Sequence, residues 1–336
     1  MTQTTVLVTG AAGFIGSHVS EELVNTGCRV VGLDDLSGGY LDNVPQGVIF
    51  EAASVLDRAK IASLFDSYHF DYVFHMAAYA AEGLSHFIKH FNYQNNLVGS
   101  VNLINAAVNH DVKCFVFTSS IAVYGAGQVP MDESMVPQPE DSYGISKYAV
   151  EMELQATHRM FGLDYIVFRP HNVYGERQNI GDKYRNVIGI FMNQIMQGKP
   201  MTIFGDGTQT RAFSYIADVA PLMAHAVELP AARNQVFNVG SDTPYALNEL
   251  AEAVAQAMGA APEILHLEAR NEVKHAYSSH EKLQQVFGAR PQVPLEEGLR
   301  RMAAWAKAVG PRQSRPFEAI EIPRNLPPSW VNPKQG

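Results

Sequence analysis

Tyr143 and Lys147 stand four residues apart in Tyr143-Gly144-Ile145-Ser146-Lys147, the only Y-x-x-x-K in the chain. On a helix, positions i and i+4 share a face. An ammonium beside the phenol would favour phenolate and draw its pKa from about 10 towards neutrality. Tyr143 would then be a usable general base. Thr118-Ser119-Ser120 closes a strand-like run that starts at Cys114, and a hydroxyl at such a strand end could hydrogen-bond a reacting oxygen. Each pattern also has a plainer reading. The first is a surface tyrosine stacked on a lysine stem; the second is a serine-rich strand end satisfying its own backbone.

A third pattern is glycine-rich. Val6-Leu7-Val8-Thr9-Gly10-Ala11-Ala12-Gly13-Phe14-Ile15-Gly16 reads as a strand, a small-residue turn and the start of a helix. Glycines at 10, 13 and 16 would let the backbone approach a pyrophosphate, and the helix N-terminus would offer free N–H groups to the anion. The G-x-x-G-x-x-G spacing departs by one position from the general dinucleotide fingerprint, so a tight turn without a ligand is the alternative. Asp34 follows the next strand, 18 residues after Gly16. A carboxylate there could hold both ribose hydroxyls of an adenosine and would repel a 2′-phosphate, with Asp35 adding to the repulsion. This favours NAD+ over NADP+. Asp34 could otherwise serve as a turn residue before Ser37-Gly38-Gly39.

These residues need a rigid frame, and the chain supplies the pattern for one. Short apolar runs at Val6–Val8, Arg29–Leu33, Val48–Phe50, Tyr72–His75, Cys114–Thr118 and Tyr165–Phe168 read as strands buried on both faces. Helix-length segments separate them, notably Gly13–Asn25, Asp57–Ser67, Asn95–Asn109 and Tyr143–Phe161. Such alternation predicts parallel βαβ crossovers. The expected fold is α/β: a Rossmann-type doubly wound parallel sheet with a smaller α/β C-terminal substrate-binding domain. Residues 1–175 would form the NAD-binding domain, with 212–240 returning to it. Residues 176–211 and 241–310 would form the second domain. The proline-rich stretch 311–336 lacks periodicity and reads as a surface tail.

Composition narrows the function. With 336 residues, 46 % hydrophobic and 18 % charged, the chain is globular and long enough for a large core. Its net charge of −9 argues against general nucleic-acid binding. Cys28 and Cys114 are too few for a disulfide framework and lack metal spacing, which favours a reduced, cytoplasmic setting. No run is apolar enough to span a bilayer, and the N-terminus has no basic signal region. His86 and His90, four apart in a plausible helix, lack a third ligand, so no metal site is expected.

Together these motifs resemble the extended short-chain dehydrogenase/reductase family, and within it the NAD-dependent nucleotide-sugar 4-epimerases. The resemblance spans residues 4 to 310. It is carried by Thr9–Gly16, His75-Met76-Ala77-Ala78, Asn96-Leu97-Val98-Gly99-Ser100, Thr118–Gly125, Tyr143–Lys147, Arg169–Gly175 and Phe204–Phe213. It implies that Tyr143 exchanges a proton with the sugar 4-hydroxyl while hydride passes between C4 and the tightly bound NAD+. Lys147 would hold the nicotinamide ribose, and Ser120 would bridge the 4-oxygen and Tyr143. It places Gly10, Gly13, Phe14, Ile15, Gly16, Asp34, Ser54, Val55, Ala77, Ala78, Tyr79, Asn96, Thr118, Tyr143, Lys147 and Pro170 at the cofactor. On the UDP-sugar side it implies Ser119, Ser120, Tyr143, Asn172, Arg177, Asn186, Val187, Phe204, Arg211, Phe213, Arg270 and Ala276. Arg211 is the best diphosphate partner, because its fork matches two phosphate oxygens.

Related branches of the family place acidic residues just before Val123-Tyr124-Gly125, to eliminate water or to decarboxylate. Here stand Ile121 and Ala122, which do no acid–base work, so the epimerase reaction remains. Three positions depart from the family: Ser54 where many relatives have Asp, Ala269 where many have Arg with Arg270 one residue on, and Phe213 for a frequent Tyr. The resemblance further implies that a residue about six before the Lys of a late helix gates the pocket; counting back from Lys282 gives the small Ala276, so a pocket roomy enough for UDP-GlcNAc/UDP-GalNAc as well as UDP-Glc/UDP-Gal is expected. If Ala276 only packs, Tyr277 would refill the space. Arg177, Lys183, Arg185 and Lys274 flank the expected pocket, so UDP-glucuronate is an alternative. An NAD(H)-binding regulatory protein on the same fold is the alternative of another class. The resemblance also implies a homodimer through a four-helix bundle of Asn95–Asn109 and Tyr143–Phe161.

Overall fold

The computed structural model describes residues 3–127, 129–269, 273–313, 317–327 and 330. Its centre is a seven-stranded parallel sheet. The strands are β1 (Thr5–Thr9), β2 (Arg29–Asp34), β3 (Ile49–Ala52), β4 (Tyr72–His75), β5 (Cys114–Thr118), β6 (Asp164–Pro170) and, far along the chain, Gln235–Val239. In space the order is Gln235–Val239, β6, β5, β4, β1, β2, β3. The order therefore reverses between β1 and β4, and the strand C-termini open a crevice there. The runs Val6–Val8, Val73–Phe74 and Phe115–Phe117 are buried, because helices cover both faces.

One face carries α1 (Phe14–Asn25). The other carries α2 (Arg58–Tyr68), α5 (Gly99–Asn109) and α6 (Ser142–Phe161). Between β4 and α5 lie two short helices, α3 (Glu82–Ser85) and α4 (Lys89–Tyr93), which the sequence pattern did not reveal. His86 and His90 fall on either side of the break between them, at Ile88 (φ −138°), so they do not share one helix. A π-helical segment, Gln94–Val98, joins α4 to α5. Helix α6 starts where the Asp141 carboxylate accepts from the Gly144 N–H at 2.9 Å, and it stops at Gly162, whose φ of +78° few other residues would adopt.

After β6 the chain forms β7 (Val173–Tyr174) and leaves the sheet for α7 (Val187–Met196), β8 (Met201–Phe204), β9 (Thr210–Ala212) and β10 (Ser214–Tyr215). It returns with α8 (Ile216–His225), which packs on α1, and with β11 (Gln235–Val239), which pairs with β6. It then leaves again for β12 (Pro244–Ala246), α9 (Leu247–Met258), β13 (Ile264–Leu267), β14 (His275–Ala276), α10 (Glu281–Phe287) and α11 (Leu295–Val309). Helices α7, α9 and α11 pack together. Strand β8 pairs with β13, and β9 lies between β12 and β14.

Described residues beyond α11 pack on the body rather than lying as a loose surface tail. Trp330 is 6 % exposed and packs with Ala81, Leu84 and Ile88, and Phe317, Ile320 and Leu326 join the same cluster. Aromatic and aliphatic residues spaced without period hid this packing from sequence reading. Among the described residues no helix is long and apolar enough to cross a membrane. Cys114 is buried and Cys28 half-buried, and both are free.

Candidate active site

A cavity of about 1370 Å³ opens at the C-terminal ends of the central strands. At one end lies the glycine turn. Gly10 has φ +72°, and a Cβ there would stand 2.8 Å from the Ala77 nitrogen; one on Gly16 would stand 2.0 Å from the Gly10 oxygen. The turn therefore packs directly on the loop after β4 and aims the start of α1 at the cavity, with Gly10, Gly13, Phe14, Ile15 and Gly16 on the wall. Asp34 also borders the cavity, and its carboxylate accepts from the Ala12 and Leu36 N–H groups at 3.1 and 2.8 Å. Burial raises its pKa against those hydrogen bonds. A carboxylate that burial disfavours, beside a side-chain-free turn and a helix start, fits the adenosine ribose and pyrophosphate of a dinucleotide.

A buried relay fixes this end. The Ala77 N–H donates to Thr9 Oγ1 at 3.2 Å, and Thr9 Oγ1 meets His75 Nδ1 at 2.7 Å. His75 Nε2 meets Ser100 Oγ at 2.8 Å, and Ser100 donates to the Asn96 carbonyl. Because the Ser100 proton is used, His75 Nε2 carries the hydrogen and Nδ1 accepts from Thr9. Burial pulls the His75 pKa down to about 3, so the ring is neutral. Asn96 accepts from the Tyr79 N–H and donates to the Tyr79 carbonyl. Its side chain is thus spent on holding the loop at Ala77, Ala78 and Tyr79, which borders the cavity; Asn96 itself does not. Ser54 likewise turns inward and accepts from the Leu56 N–H, while Val55 lines the wall.

In the middle of the cavity stand Ser120, Tyr143 and Lys147. Ser120 hydrogen-bonds the Tyr143 phenol. Lys147 Nζ donates to the Thr118 carbonyl at 2.6 Å and lies 5.8 Å from the Tyr143 ring centroid. Burial pulls the Lys147 pKa down to about 7. The phenol does not move towards neutrality as the sequence suggested. Burial raises it, and the Ser120 hydrogen bond lowers it only in part. Lys147 is aimed at the end of β5 rather than at the phenol oxygen, and its own charge is weakened by the same desolvation.

Glu151, one turn beyond Lys147, organises the serines from below. It accepts from Ser119 Oγ at 2.5 Å and from Arg169 Nε at 3.0 Å, fully buried. Ser119 therefore spends its proton inward on Glu151, while the residue still borders the cavity. The Tyr143 N–H donates to Ser85 Oγ, and Ser85 donates to Asp141, so α3 grips the start of α6. The i+4 spacing from Lys147 was the signal for Glu151. Nothing local signalled Ser85.

On the far side, Asn172, Asn186, Val187, Phe204, Arg211, Phe213 and Ala276 border the cavity. Arg211 donates to the Lys274 and Val273 carbonyls at 3.0 and 2.5 Å. Ala276 lies beside it on the neighbouring strand, and Ala276, not Tyr277, borders the cavity among the described residues. Arg177 also borders the cavity. Its guanidinium pairs with Glu21 on α1 at 2.7 Å, so it braces the cofactor end. Arg185 donates from Nε and Nη2 to one carboxylate oxygen of Asp182. Lys183 borders the cavity with no carboxylate partner among the described residues, and burial lowers its pKa. Arg270 lies outside the described residues.

Residues 6–240 match the model of the NAD dependent epimerase/dehydratase family. The chain belongs to this family. Among solved structures it is similar to the UDP-glucose 4-epimerase of Thermotoga maritima with UDP-glucose, at 32 % identity and a TM-score of 0.87, covering 91 % of this chain and 99 % of that one. It is similar to the UDP-N-acetylglucosamine 4-epimerase of Methanobrevibacter ruminantium, in complex with UDP-N-acetylmuramic acid, at 31 % identity and a TM-score of 0.84, covering 91 % and 98 %. It is also similar to the UDP-glucuronic acid 4-epimerase of Bacillus cereus, in complex with UDP-glucuronic acid and NAD, at 27 % identity and a TM-score of 0.83, covering 91 % and 100 %.

As a family member the chain is an NAD-dependent enzyme, and its own residues fit that cofactor. The glycine turn leaves no room for a Cβ, and Asp34 stands at the end of β2 where a ribose would lie. Thr118 and Pro170 carry the wall on from β5 and β6 towards Tyr143. Of the parts of this family site that act through others, the sequence placed His75, Ser100 and Arg169 in motifs without giving them a role, and it did not single out Glu151, Ser85 or Asp141.

Proposed function

We propose that the protein is an NAD-dependent 4-epimerase of UDP-sugars, acting on UDP-Glc/UDP-Gal and UDP-GlcNAc/UDP-GalNAc. The observation that carries the reading is the Ser120–Tyr143–Lys147 cluster on the cavity wall, flanked by Ile121 and Ala122, which offer no second acid or base. Bound NAD+ supplies the acceptor, and later the donor, of the hydride at C4. In its phenolate form Tyr143 Oη takes the proton of the 4-hydroxyl, with Ser120 beside it, and returns it to the 4-keto oxygen after the sugar has turned over. Lys147 supplies positive charge below the phenol and a donor for the ribose. Glycine-turn amides and Asp34 hold the dinucleotide. Asn172, Asn186, Val187, Phe204, Arg211 and Phe213 hold the UDP group. No atoms are gained or lost, so the reaction is an isomerisation.

The test is an NMR time course of the purified protein with UDP-Glc, UDP-GlcNAc and UDP-GlcA in separate tubes. Appearance of the 4-epimer without free NADH supports the reading, and the fastest tube names the sugar. Three unchanged sugars, even with NAD+ added, would refute it. Ala276 supports the hexose and N-acetylhexosamine pair. The second reading, UDP-glucuronate, is favoured by Lys183, a cavity cation without a carboxylate partner among the described residues.

The assembly we infer is a homodimer. Its support is an apolar stripe on α6: Ile145 is 42 % exposed and Met152, two turns on, 54 % exposed, with Val98 exposed beside α5. We also propose residues 1–175 with 212–240 as the NAD-binding unit and 176–211 with 241–310 as the UDP-sugar-binding unit. Free thiols at Cys28 and Cys114 suit a cytoplasmic setting.

A further inference from the structure

We propose that the C-terminal strap, represented by residues 317–327 and Trp330, is the outer wall of the sugar end of the cavity, and that Trp330 limits the size of the group a substrate carries there. This rests on the epimerase reading and deepens it. The strap begins on the α7 side, where Asn193 both donates to and accepts from the Arg312 backbone at 2.9 Å. It ends against α3 and α4, so it crosses from one lobe to the other. Polar contacts to the α3–α4 region and Tyr184 latch it. The Phe317 N–H donates to Tyr184 Oη at 2.9 Å. The Glu321 carboxylate accepts from the His90 and Phe91 N–H groups at 2.8 Å each, capping α4, whose own first residue offers no side-chain cap. The Glu321 N–H donates to the Phe87 carbonyl. A carboxylate on free helix N–H groups is a charge-assisted bond at the favourable end of the helix dipole, so the strap is a fixed wall.

Its position relative to the chemistry follows from α3. The Trp330 ring lies 3.4 Å from where a Cβ on Gly83 would stand. Two residues on, Ser85 Oγ accepts the Tyr143 N–H. The indole therefore contacts the short α3 about half a helical turn before Ser85, the residue that holds the Tyr143 backbone from the other side of that helix. It packs edge-on against Tyr184 and Phe87 at 5.1 and 6.1 Å, and with Asn325 and Pro327 it borders the cavity. Rigid rings present apolar surface to the C–H face of a hexose and leave little volume for a bulky substituent. The three solved relatives are matched over 98–100 % of their own length but 91 % of this chain, so part of this chain lies outside the shared fold. We assign that part to the strap.

Two measurements test the wall. In Trp330→Ala, kcat/KM for UDP-GlcNAc should rise relative to UDP-Glc by about tenfold, the scale of pocket-size discrimination. A general loss of structure would lower both together. An unchanged ratio in a variant with wild-type Tm overturns the proposal, and Trp330→Leu serves if the alanine variant does not fold. Independently, the chain has two tryptophans, so Trp305→Phe leaves Trp330 as the sole indole. UDP-Glc should shift its emission where UDP alone does not; equal responses overturn the wall. This second arm needs binding and no turnover. It still judges the strap if the wild-type chain inverts no UDP-sugar, an outcome that would remove the epimerase reading instead.

Discussion

Lys147 and Tyr143 share one electrostatic condition, burial that disfavours the charged form of each, and it moves their pKa values in opposite directions. Burial lowers the lysine to about 7 and raises the phenol. The free enzyme therefore carries the Lys147 charge below about pH 7 and loses it above. If that charge assists proton removal, kcat/KM should show a limb near pH 7, and Lys147→Met should abolish that limb. Tyr143→Phe should lower kcat by about 10²–10⁴-fold, the range of a lost acid–base group, while NAD+ binding, read by calorimetry, stays near wild type. The Tyr–Lys pair, the serines and Asp34 were legible in sequence because each is a residue type at a fixed spacing on one element. The direction of the Arg177 side chain was not legible, because its identity gave none. Its backbone has φ +64° and its side chain finds Glu21, 156 residues away. Trp330 and Ser85 were invisible for the same reason: their partners are distant in sequence.

Elements turn these residues into a site through two buried devices. The first is the Glu151–Arg169 pair between α6 and β6, with 0 % and 5 % side-chain exposure. Removing one member leaves a buried charge unpaired, so Glu151→Ala should cost about 3–5 kcal/mol in urea unfolding and should also misplace the Ser119–Ser120 turn, raising KM for the sugar nucleotide. The second is the contact of Gly10 with the loop after β4. Gly10→Ala combines a strained φ with a clash on Ala77, and the expected result is loss of NAD+ affinity by at least about tenfold, measured by cofactor retention on gel filtration. The alternating strand and helix pattern made β1 to β6 readable, since buried parallel strands are continuous apolar runs. The short β7, β9, β10, β12 and β14, and helices α3 and α4, were not readable. They are held by tertiary pairing rather than by periodicity of their own.

For the whole molecule, acid should be the weak side. His75 and His171 are buried and neutral, both lowered to about 3. An unfolded histidine takes up a proton near pH 6.5. The stabilisation from keeping them neutral is thus complete above about pH 6.5 and is lost as pH falls towards 3, by up to about 1.4 kcal/mol per unit for each ring. Tm should fall steadily between pH 6.5 and 5, and His75→Asn should flatten the slope; an equal slope in that variant would exclude this origin. Association can be checked at the same scale: Met152→Glu should convert a sedimenting dimer to monomer if α6 forms the interface. The path of the chain has a consequence of another kind. Strand β11 pairs with β6 only after the chain has made its first excursion through α7 to β9, and residues after β11 then rejoin α7. Each of the two units we propose is therefore assembled from two separate stretches of sequence. No single cut releases either one whole, and a single crossover between two genes of this kind cannot exchange one lobe's specificity for another's. New sugar preferences must arise by substitution along the cavity wall or by additions at the end of the chain.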